Sequence, residues 1–371
     1  MSSRVPRLAV AAWTIAGAVC VALGMGVWHY IGESDAAGMG GMHMGSAEAL
    51  TRGGADGPAG PLHGWTVLSA WQLDAIAVAL LVVAGAAYLT GVALVAARTP
   101  ERTWPLRRTA AFFCGLAVCA FATNGSIAVY DQVLFSAHMA GHLALVMVAP
   151  ALLVAGHPLT LLLEAARPER RARIERIARG RVISLLTAPP VALAGYATVI
   201  VGSHLTGLMD SIMKQTWAGQ VEHLVYLLFG LQFFVLVVGN EPIRWRLASP
   251  ARWLLLAIAM AVDTFTGIVL MQGTQPVAML PAAFHVDALS DTHTGGAIMW
   301  FGGDGIMALI MVVLVVGWLR TVDRAPAAKG WLEQARGATF AEHTGTASAD
   351  VDEDDAARSA YNEWLAKLNR P

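Results

Sequence analysis

The sequence has few charged residues. Aspartate, glutamate, lysine and arginine make up 14% of its 371 residues, whereas apolar residues make up 56%. This share of charge is too small to coat the surface of a soluble protein. The formal net charge of −1 argues against a nucleic-acid partner, which would favour a basic chain. The composition therefore indicates a chain that lies mostly within a membrane.

Cysteine is scarce as well. Cys20, Cys114 and Cys119 all lie in apolar runs, and no C-x-x-C or C-x-x-x-C pair occurs, which argues against a thiol metal shuttle or redox pair. Cys114 and Cys119 could still form a copper site, but small core residues of membrane helices are the favoured interpretation. The chain also lacks a Gly-rich phosphate loop, G-x-S-x-G, H-E-x-x-H and C-x-x-C-H. We therefore predict that it is not an enzyme.

Long apolar runs are what the sequence has instead. About 20 residues of apolar helix cross a bilayer core, and eight stretches qualify. They run approximately over Leu8–Tyr30, Thr66–Ala97, Leu106–Thr123, Phe135–Ala165, Val182–Ser203, Trp217–Gly239, Ala251–Gln272 and Thr294–Arg320. The sequence predicts an all-α, polytopic transmembrane helix bundle of about eight helices, an extra N-terminal span followed by a seven-helix core. The first span also has the basic start of a signal peptide, but its length favours a retained anchor.

Basic residues orient this bundle, because they cluster in every second loop. They are Arg4, Arg7, Arg98, Arg102, Arg107, Arg108, the run from 167 to 181, Arg244, Arg246, Arg252, Arg320 and Arg324. Because cytoplasmic loops carry the excess of lysine and arginine, both termini are predicted to be cytoplasmic. The predicted parts are an anchor at 1–31, an extracytoplasmic flexible Met/His arm at 32–64, the core at 65–320 and an acidic cytoplasmic tail at 321–371.

In this orientation, nine of the 11 histidines fall on the extracytoplasmic side. They are His29, His43, His63, His138, His142, His204, His223, His285 and His293. Methionines gather there too, most densely in the arm, where Met39, Met42 and Met44 surround His43. Imidazole and thioether without thiolate suit copper, especially Cu(I), whereas zinc would be expected to recruit cysteine or more carboxylate and has little use for thioether. The alternative for the arm is a mobile low-complexity linker.

The sharpest local motif is His138-Met139-Ala-Gly-His142. The i, i+4 spacing places both imidazoles on one helical face, where they could chelate one metal ion. The alternative is that each histidine separately bonds a polar group on a neighbouring helix.

Other ionisable groups share the predicted depth of this motif, and such groups within a membrane are costly and often functional. They are His204, Glu222 with His223, and Asp291 with His293. Asp263 and Asp304 fall nearer the bilayer middle, where they could pair with each other or stay protonated. An interhelical hydrogen bond is favoured over a proton path.

The stretch F-S-A-H-M-A-G-H-L-A-L-V-M-V-A-P-A-L-L-V-A-G-H-P-L (Phe135–Leu159) resembles the signature helix of the multi-spanning CtaG-type cytochrome c oxidase assembly proteins of bacteria. Ser203-His204, Glu222-His223 and D-T-H-T-G-G-A-I-M-W (Asp291–Trp300) fit the same pattern. The chain departs from it at His157, where the family commonly has a small residue, and after Asp291, where Thr292-His293 replaces the usual glutamine. The resemblance implies a membrane factor that matures a haem-copper oxidase, with copper delivered on the outer side.

These observations lead to a hypothesis of a non-enzymatic copper-handling assembly factor, multi-pass in the bacterial plasma membrane, whose partners are cytochrome c oxidase subunits. The arm would capture Cu(I) and pass it to a pocket at the outer ends of the spans. The predicted metal-binding residues are His138, His142, His204, His223, Met139, Asp291, His293, Met39, Met42, His43 and Met44. The rivals are a copper transporter, a metal-free accessory subunit of a respiratory complex and a haem-bearing oxidoreductase.

Overall fold

The structure is a computed structural model. It describes residues 62, 64–98, 103–131, 133–206, 208–209, 216–239, 241–277 and 286–324, and a few residues close to the C-terminus (359, 362–363 and 366–367). Within these residues all regular structure is helical. The helices are α1 (Thr66–Ser69), α2 (Ala75–Arg98), α3 (Leu106–Asn124), α4 (Ser126–Tyr130), α5 (Phe135–Leu143), α6 (Ala149–Ala155), α7 (Pro158–Ala165), α8 (Pro168–Ala178), α9 (Arg181–Leu186), α10 (Pro189–His204), α11 (Thr216–Val237), α12 (Ser249–Met271), α13 (Ala288–Ala297) and α14 (Gly303–Arg324), with π-helical segments at Ala144–Val148 and Ile298–Gly302.

Six helical stretches in the described part of the chain are long and apolar enough to cross a membrane. They are Ala75–Arg98, Leu106–Tyr130, Phe135–Ala165, Trp217–Val237, Ser249–Met271 and Ala288–Arg320. The all-helical, multi-pass architecture predicted from the sequence is therefore confirmed. The first predicted span, Leu8–Tyr30, lies outside the described residues, as do most of the arm and the tail. The number of eight spans and the orientation stay predictions.

The predicted fifth span, Val182–Ser203, is not one continuous helix. It is divided into α9 and α10 at Ala188, whose backbone is extended (φ −65°, ψ 132°). Pro189 and Pro190 follow directly, and a residue before proline is pushed out of the helical region. Helix α10 has 16 residues, so it is only about 24 Å long at 1.5 Å per residue.

The segment Phe135–Ala165 lies at the centre of the bundle, between α3 and α11. Glycines allow both neighbours to approach it closely. A Cβ atom on Gly115 of α3 would lie 2.9 Å from the backbone nitrogen of Leu153, and one on Gly230 of α11 would lie 2.6 Å from Cγ of Pro150. Small residues at such crossings let membrane helices meet at backbone distance. The rotation of α11 about its axis is therefore tightly set.

Helices α12 and α13 meet in the same way. A Cβ atom on Gly267 would lie 2.9 Å from the carbonyl oxygen of Gly296, and one on Gly296 would lie 2.9 Å from that of Gly267. On its other side α13 contacts α5, since a Cβ atom on Gly295 would lie 3.1 Å from Cγ of Met139. This packing brings α13 beside α5, the helix that carries His138 and His142.

The chain divides into two compact units, 1–311 and 312–371. The central segment and the site described below belong to the first unit. In the second unit the described residues of α14 expose large apolar side chains such as Val312, Val313 and Leu319, as expected for a helix surrounded by lipid.

Candidate metal site

Helix α5 carries the two histidines of the i, i+4 motif. His138 and His142 are each 3% exposed, and their ring centroids lie 4.0 Å apart. The turn that follows is the π-helical segment Ala144–Val148. Single π-helical turns inside membrane helices often accompany functional sites, because they rotate the residues on either side relative to each other. Because both rings are buried and lie close together, the two imidazoles point to one place in the bundle.

Glu222 of α11 completes the place to which these rings point. Its Oε1 lies 3.3 Å from Nε2 of His142, and its Oε2 lies 3.5 Å from Nε2 of His138. One ligand atom from each of the three residues lies within 4.8 Å of the other two. Glu222 is 5% exposed. We call His138, His142 and Glu222 the His–His–Glu trio.

The facing atoms of the trio have no ordinary partner. Among the residues that the structure describes, Nε2 of His138, Nε2 of His142 and both carboxylate oxygens of Glu222 are buried without a hydrogen bond. Buried polar atoms almost always find a partner, and each one left without a partner costs about 1–3 kcal/mol. Two imidazoles and a carboxylate around one point are a ligand set that a transition-metal ion would satisfy.

His204 of α10 contacts His142 at Nδ1, the ring nitrogen that does not face Glu222. Its Nε2 lies 2.9 Å from Nδ1 of His142, and its Nδ1 lies 2.7 Å from the carbonyl oxygen of Ile200. Tyr226 of α11 stacks on His142 with ring centroids 4.0 Å apart, and its hydroxyl makes a short hydrogen bond with that of Ser203. His142 is thus enclosed on its ring face and at its remote nitrogen.

Comparison with known proteins places this arrangement in a family. A family model described as cytochrome c oxidase caa3 assembly factor (Caa3_CtaG) matches residues 86–321, which include the whole trio. The chain belongs to this family. The resemblance inferred from the histidine helix is therefore confirmed.

Three curated proteins that are similar to this chain come from mycobacteria. An uncharacterised protein of Mycobacterium leprae (strain TN) is 29% identical over 317 residues, which cover 81% of this chain and 45% of the relative. Uncharacterised proteins of Mycobacterium bovis and Mycobacterium tuberculosis are each 29% identical over 319 residues, 82% of this chain and 45% of theirs. The chain thus spans less than half the length of these relatives. No solved structure matches it.

The other predicted ligands have different partners. Nε2 of His223 lies 3.3 Å from Oδ2 of Asp131, and Nε2 of His293 donates to the carbonyl oxygen of Gly273 at 2.9 Å. Met139 is 1% exposed and packs against Gly295. These three side chains therefore lie outside the trio. Met39, Met42, His43 and Met44 fall outside the described residues, so their role stays a prediction.

Asp291 has a structural partner in the histidine helix. Its Oδ2 accepts from the backbone nitrogen of Phe135 at 2.7 Å, and its Oδ1 accepts from the hydroxyl of Ser136 at 2.5 Å and its backbone nitrogen at 3.4 Å. A carboxylate here accepts from backbone donors at the start of α5 that have no partner within the helix. Its negative charge also interacts favourably with the positive end of the helix dipole. Asp291 thus holds the helix that carries His138 and His142.

The two aspartates nearer the predicted bilayer middle accept interhelical hydrogen bonds. Tyr196 of α10 donates to Oδ2 of Asp263 at 2.9 Å, and Thr264 of α12 donates to both oxygens of Asp304, at 3.1 and 2.9 Å. The favoured sequence interpretation, an interhelical bond for each, agrees with these contacts.

Sequence reasoning grouped Glu222 with His223 but ranked His223 as the ligand. Adjacent residues of a helix point about 100° apart, so only one of the two can face α5. The available signal was the cost of a carboxylate inside a membrane span, which singled out Glu222 as a functional candidate.

Proposed function

We propose that this chain is a non-enzymatic assembly factor for a haem-copper cytochrome c oxidase of the bacterial plasma membrane, and that it binds copper on the His–His–Glu trio before delivery. Family membership supports the assembly role. The observation that carries the metal part is the convergence of four buried, unpartnered ligand atoms on one point.

The geometry of the trio calls for a positive group between its members. A hydrogen on either Nε2 could in principle bond Glu222, but the contacts of 3.3 and 3.5 Å are long and do not make hydrogen bonds. As acceptors, two imidazole nitrogens and a carboxylate repel one another in a site with little water to screen them. A bound cation converts this repulsion into attraction.

Copper fits the donors of the trio. Imidazole binds copper, zinc, iron and nickel, and divalent copper binds a given nitrogen and oxygen site more tightly than divalent zinc does. Cu(I) was predicted from the thioethers of the arm. The trio itself contains no thioether, so Cu(II) suits it at least as well. Zinc is the competing ion that an experiment must include.

Delivery requires a metal site with a coordination position that an incoming ligand can occupy. The trio supplies three protein ligands, and a transition-metal site with three ligands keeps a position free for exchange. The arm with Met39, Met42, His43 and Met44 would load the ion from the extracytoplasmic side. A ligand of the oxidase would later take it through the same open position. Both steps are parts of the proposal.

Metal stoichiometry tests the proposal. The full chain in lipid nanodiscs is incubated with copper, as Cu(II) and as Cu(I) under reductant, or with zinc, and bound metal is measured against competing chelators. We expect the double variant His138→Asn, His142→Asn to hold one copper per chain fewer than wild type does, whereas copper held by the arm is expected in both. His223→Asn, which changes a histidine outside the trio, is the matched control and is expected to bind copper as wild type does.

The size-exclusion profile and the thermal unfolding midpoint of each variant show whether the bundle is intact. The metal part of the proposal fails if wild type holds no copper beyond background, or if the double variant holds as much as wild type. In the first case, stable metal-free association with the oxidase at fixed stoichiometry would instead identify an accessory subunit.

A further inference from the structure

We propose that His204 is a positioning residue, which holds His142 in the one tautomer that can bind the metal and does not itself bind it. The inference rests on the proposed metal function of the trio and adds an outer partner to it. Three observations support it: a carbonyl that fixes the hydrogen of His204, a direct bond between the two imidazoles, and a buried surround that prevents either ring from turning.

The carbonyl of Ile200 fixes the hydrogen of His204. It lies 2.7 Å from Nδ1 of His204 and can only accept a hydrogen bond, so Nδ1 carries the hydrogen. In a neutral ring the other nitrogen, Nε2, then has a free lone pair. Nε2 of His204 is therefore an acceptor.

The hydrogen bond between the two imidazoles then determines which nitrogen of His142 carries its hydrogen. Nε2 of His204 lies 2.9 Å from Nδ1 of His142, so Nδ1 of His142 must be the donor and carry its hydrogen. Nε2 of His142 is left with a lone pair, and it is this atom that lies 3.3 Å from Glu222. The backbone carbonyl of one helix thus sets the tautomer of a metal ligand on another.

The surround keeps both rings in place. The Ser203 hydroxyl donates to the Val199 carbonyl at 2.6 Å and lies 2.9 Å from Nδ1 of His204. It also makes a short hydrogen bond with the hydroxyl of Tyr226, whose ring stacks on His142 at an interplanar angle of 25°. His204, Ser203 and Tyr226 are all buried. Neither imidazole can flip without breaking a hydrogen bond.

Outer hydrogen bonds of this kind orient a metal-binding imidazole and raise its basicity, and their loss typically lowers metal affinity about 10–100-fold. Without His204 the hydrogen of His142 would be free to occupy Nε2. There it would point at Glu222 and block the ligand position. His204 therefore favours the ligand form of His142 before any metal arrives.

The test compares His204→Leu, which removes the acceptor, with His204→Gln, whose amide oxygen can still accept from Nδ1 of His142. All proteins are full chains in nanodiscs. Cu(II) affinity is measured by chelator competition, and pulsed electron paramagnetic resonance of the Cu(II) form reports the number of bound imidazoles and the environment of their remote nitrogens. We expect about a 10–100-fold loss for His204→Leu with a changed remote-nitrogen coupling, and a smaller loss for His204→Gln.

A second measurement needs no metal. Nitrogen-15 spectra of histidine-labelled protein distinguish the two neutral tautomers, and the signals of His142 are identified by their loss in His142→Asn. In wild type the hydrogen is expected on Nδ1; in His204→Leu a part of the population is expected to move it to Nε2.

Three outcomes overturn the inference. One fewer bound imidazole in His204→Leu would make His204 a ligand. Unchanged affinity and remote-nitrogen coupling in that variant would remove its positioning role. A hydrogen on Nε2 of His142 in the wild-type spectrum would refute the assigned tautomer. A wild-type chain that binds no Cu(II) would refute the proposed metal function, and the tautomer spectrum would still decide the present point.

Discussion

Two buried glutamates, Glu222 within the trio and Glu241 after α11, have opposite surroundings. They are 5% and 3% exposed. Glu241 accepts three hydrogen bonds from the start of α7: from the backbone nitrogens of Leu159 at 3.2 Å and Thr160 at 2.9 Å, and from the Thr160 hydroxyl at 2.6 Å. Among the residues that the structure describes, Glu222 lies against the Nε2 atoms of His138 and His142, and its carboxylate has no hydrogen bond.

The difference separates a carboxylate whose hydrogen-bond donors lie within the fold from one that we propose to be a metal ligand. Burial raises the pKa of the Glu241 carboxyl, but the hydroxyl and backbone donors of Thr160 oppose the rise. Those donors would otherwise be unpaired at the first turn of α7, so side chain and helix satisfy each other. Glu222 has no such donors among the described residues, and the proposed bound cation would supply the missing compensation.

The largest expected effect is on metal affinity in Glu222→Gln. The variant removes the negative ligand from the trio while keeping the side-chain shape. We expect copper affinity to fall by more than the roughly 10–100-fold that accompanies loss of an outer partner. The metal-free protein should unfold at the same temperature as wild type or higher, because an uncompensated buried carboxylate has been removed.

Both quantities are measurable on one nanodisc sample, by chelator competition and by tryptophan fluorescence during heating. Glu241→Gln is the matched control, since it makes the same chemical change at a carboxylate that has its donors. If Glu222→Gln bound copper as tightly as wild type does, Glu222 would not be a metal ligand, and the contrast drawn between the two glutamates would be wrong.

The next effect is on stability in Glu241→Gln. The amide presents a donor where the pocket offers only donors, so at least one of the three hydrogen bonds is lost. Hydrogen bonds to charged groups contribute about 1.5–3 kcal/mol each, and we expect the free energy of unfolding to fall by about that amount. Copper affinity should be unchanged. A thermal midpoint equal to that of wild type would show that the hydrogen bonds of Glu241 to the start of α7 contribute nothing to the stability of the protein.

The sequence predicted the histidine helix well, because the signal is local. Phe135–Ala165 was predicted as one span and is one of the six membrane-length helical stretches, although its helix is interrupted at His157 before α7 begins. The i, i+4 rule correctly placed His138 and His142 on a common face. The break at Pro189 and Pro190 was missed, since hydropathy alone does not register that two prolines interrupt an apolar run.

The residues of other helices that contact α5 could not be predicted, because these contacts depend on the rotation of helices far apart in sequence. Hydropathy gives the depth of a residue but not the direction in which it points. Whether Glu222 or His223 faces α5 is set by the rotation of α11, which depends on contacts such as that of Gly230 with Pro150. Asp291 lies 156 residues from Phe135, so its role as a cap is visible only in the folded chain.

The smallest predicted effect concerns His157, at the same end of the central segment as Glu241. It precedes α7 in the left-handed helical region, with φ 54° and ψ 51°, and is the one non-glycine residue with positive φ among those described. That conformation costs an L-residue about 1–2 kcal/mol, whereas glycine adopts it freely but loses about 0.5–1 kcal/mol through its more flexible unfolded chain.

The balance favours glycine by up to about 1.5 kcal/mol, so His157→Gly should raise the thermal midpoint slightly and leave copper affinity unchanged. His157→Ala is the matched control, because alanine removes the imidazole but keeps the Cβ atom that makes the conformation unfavourable. A rise of equal size in His157→Ala would assign the effect to contacts of the imidazole. A rise in His157→Gly alone would assign it to the backbone.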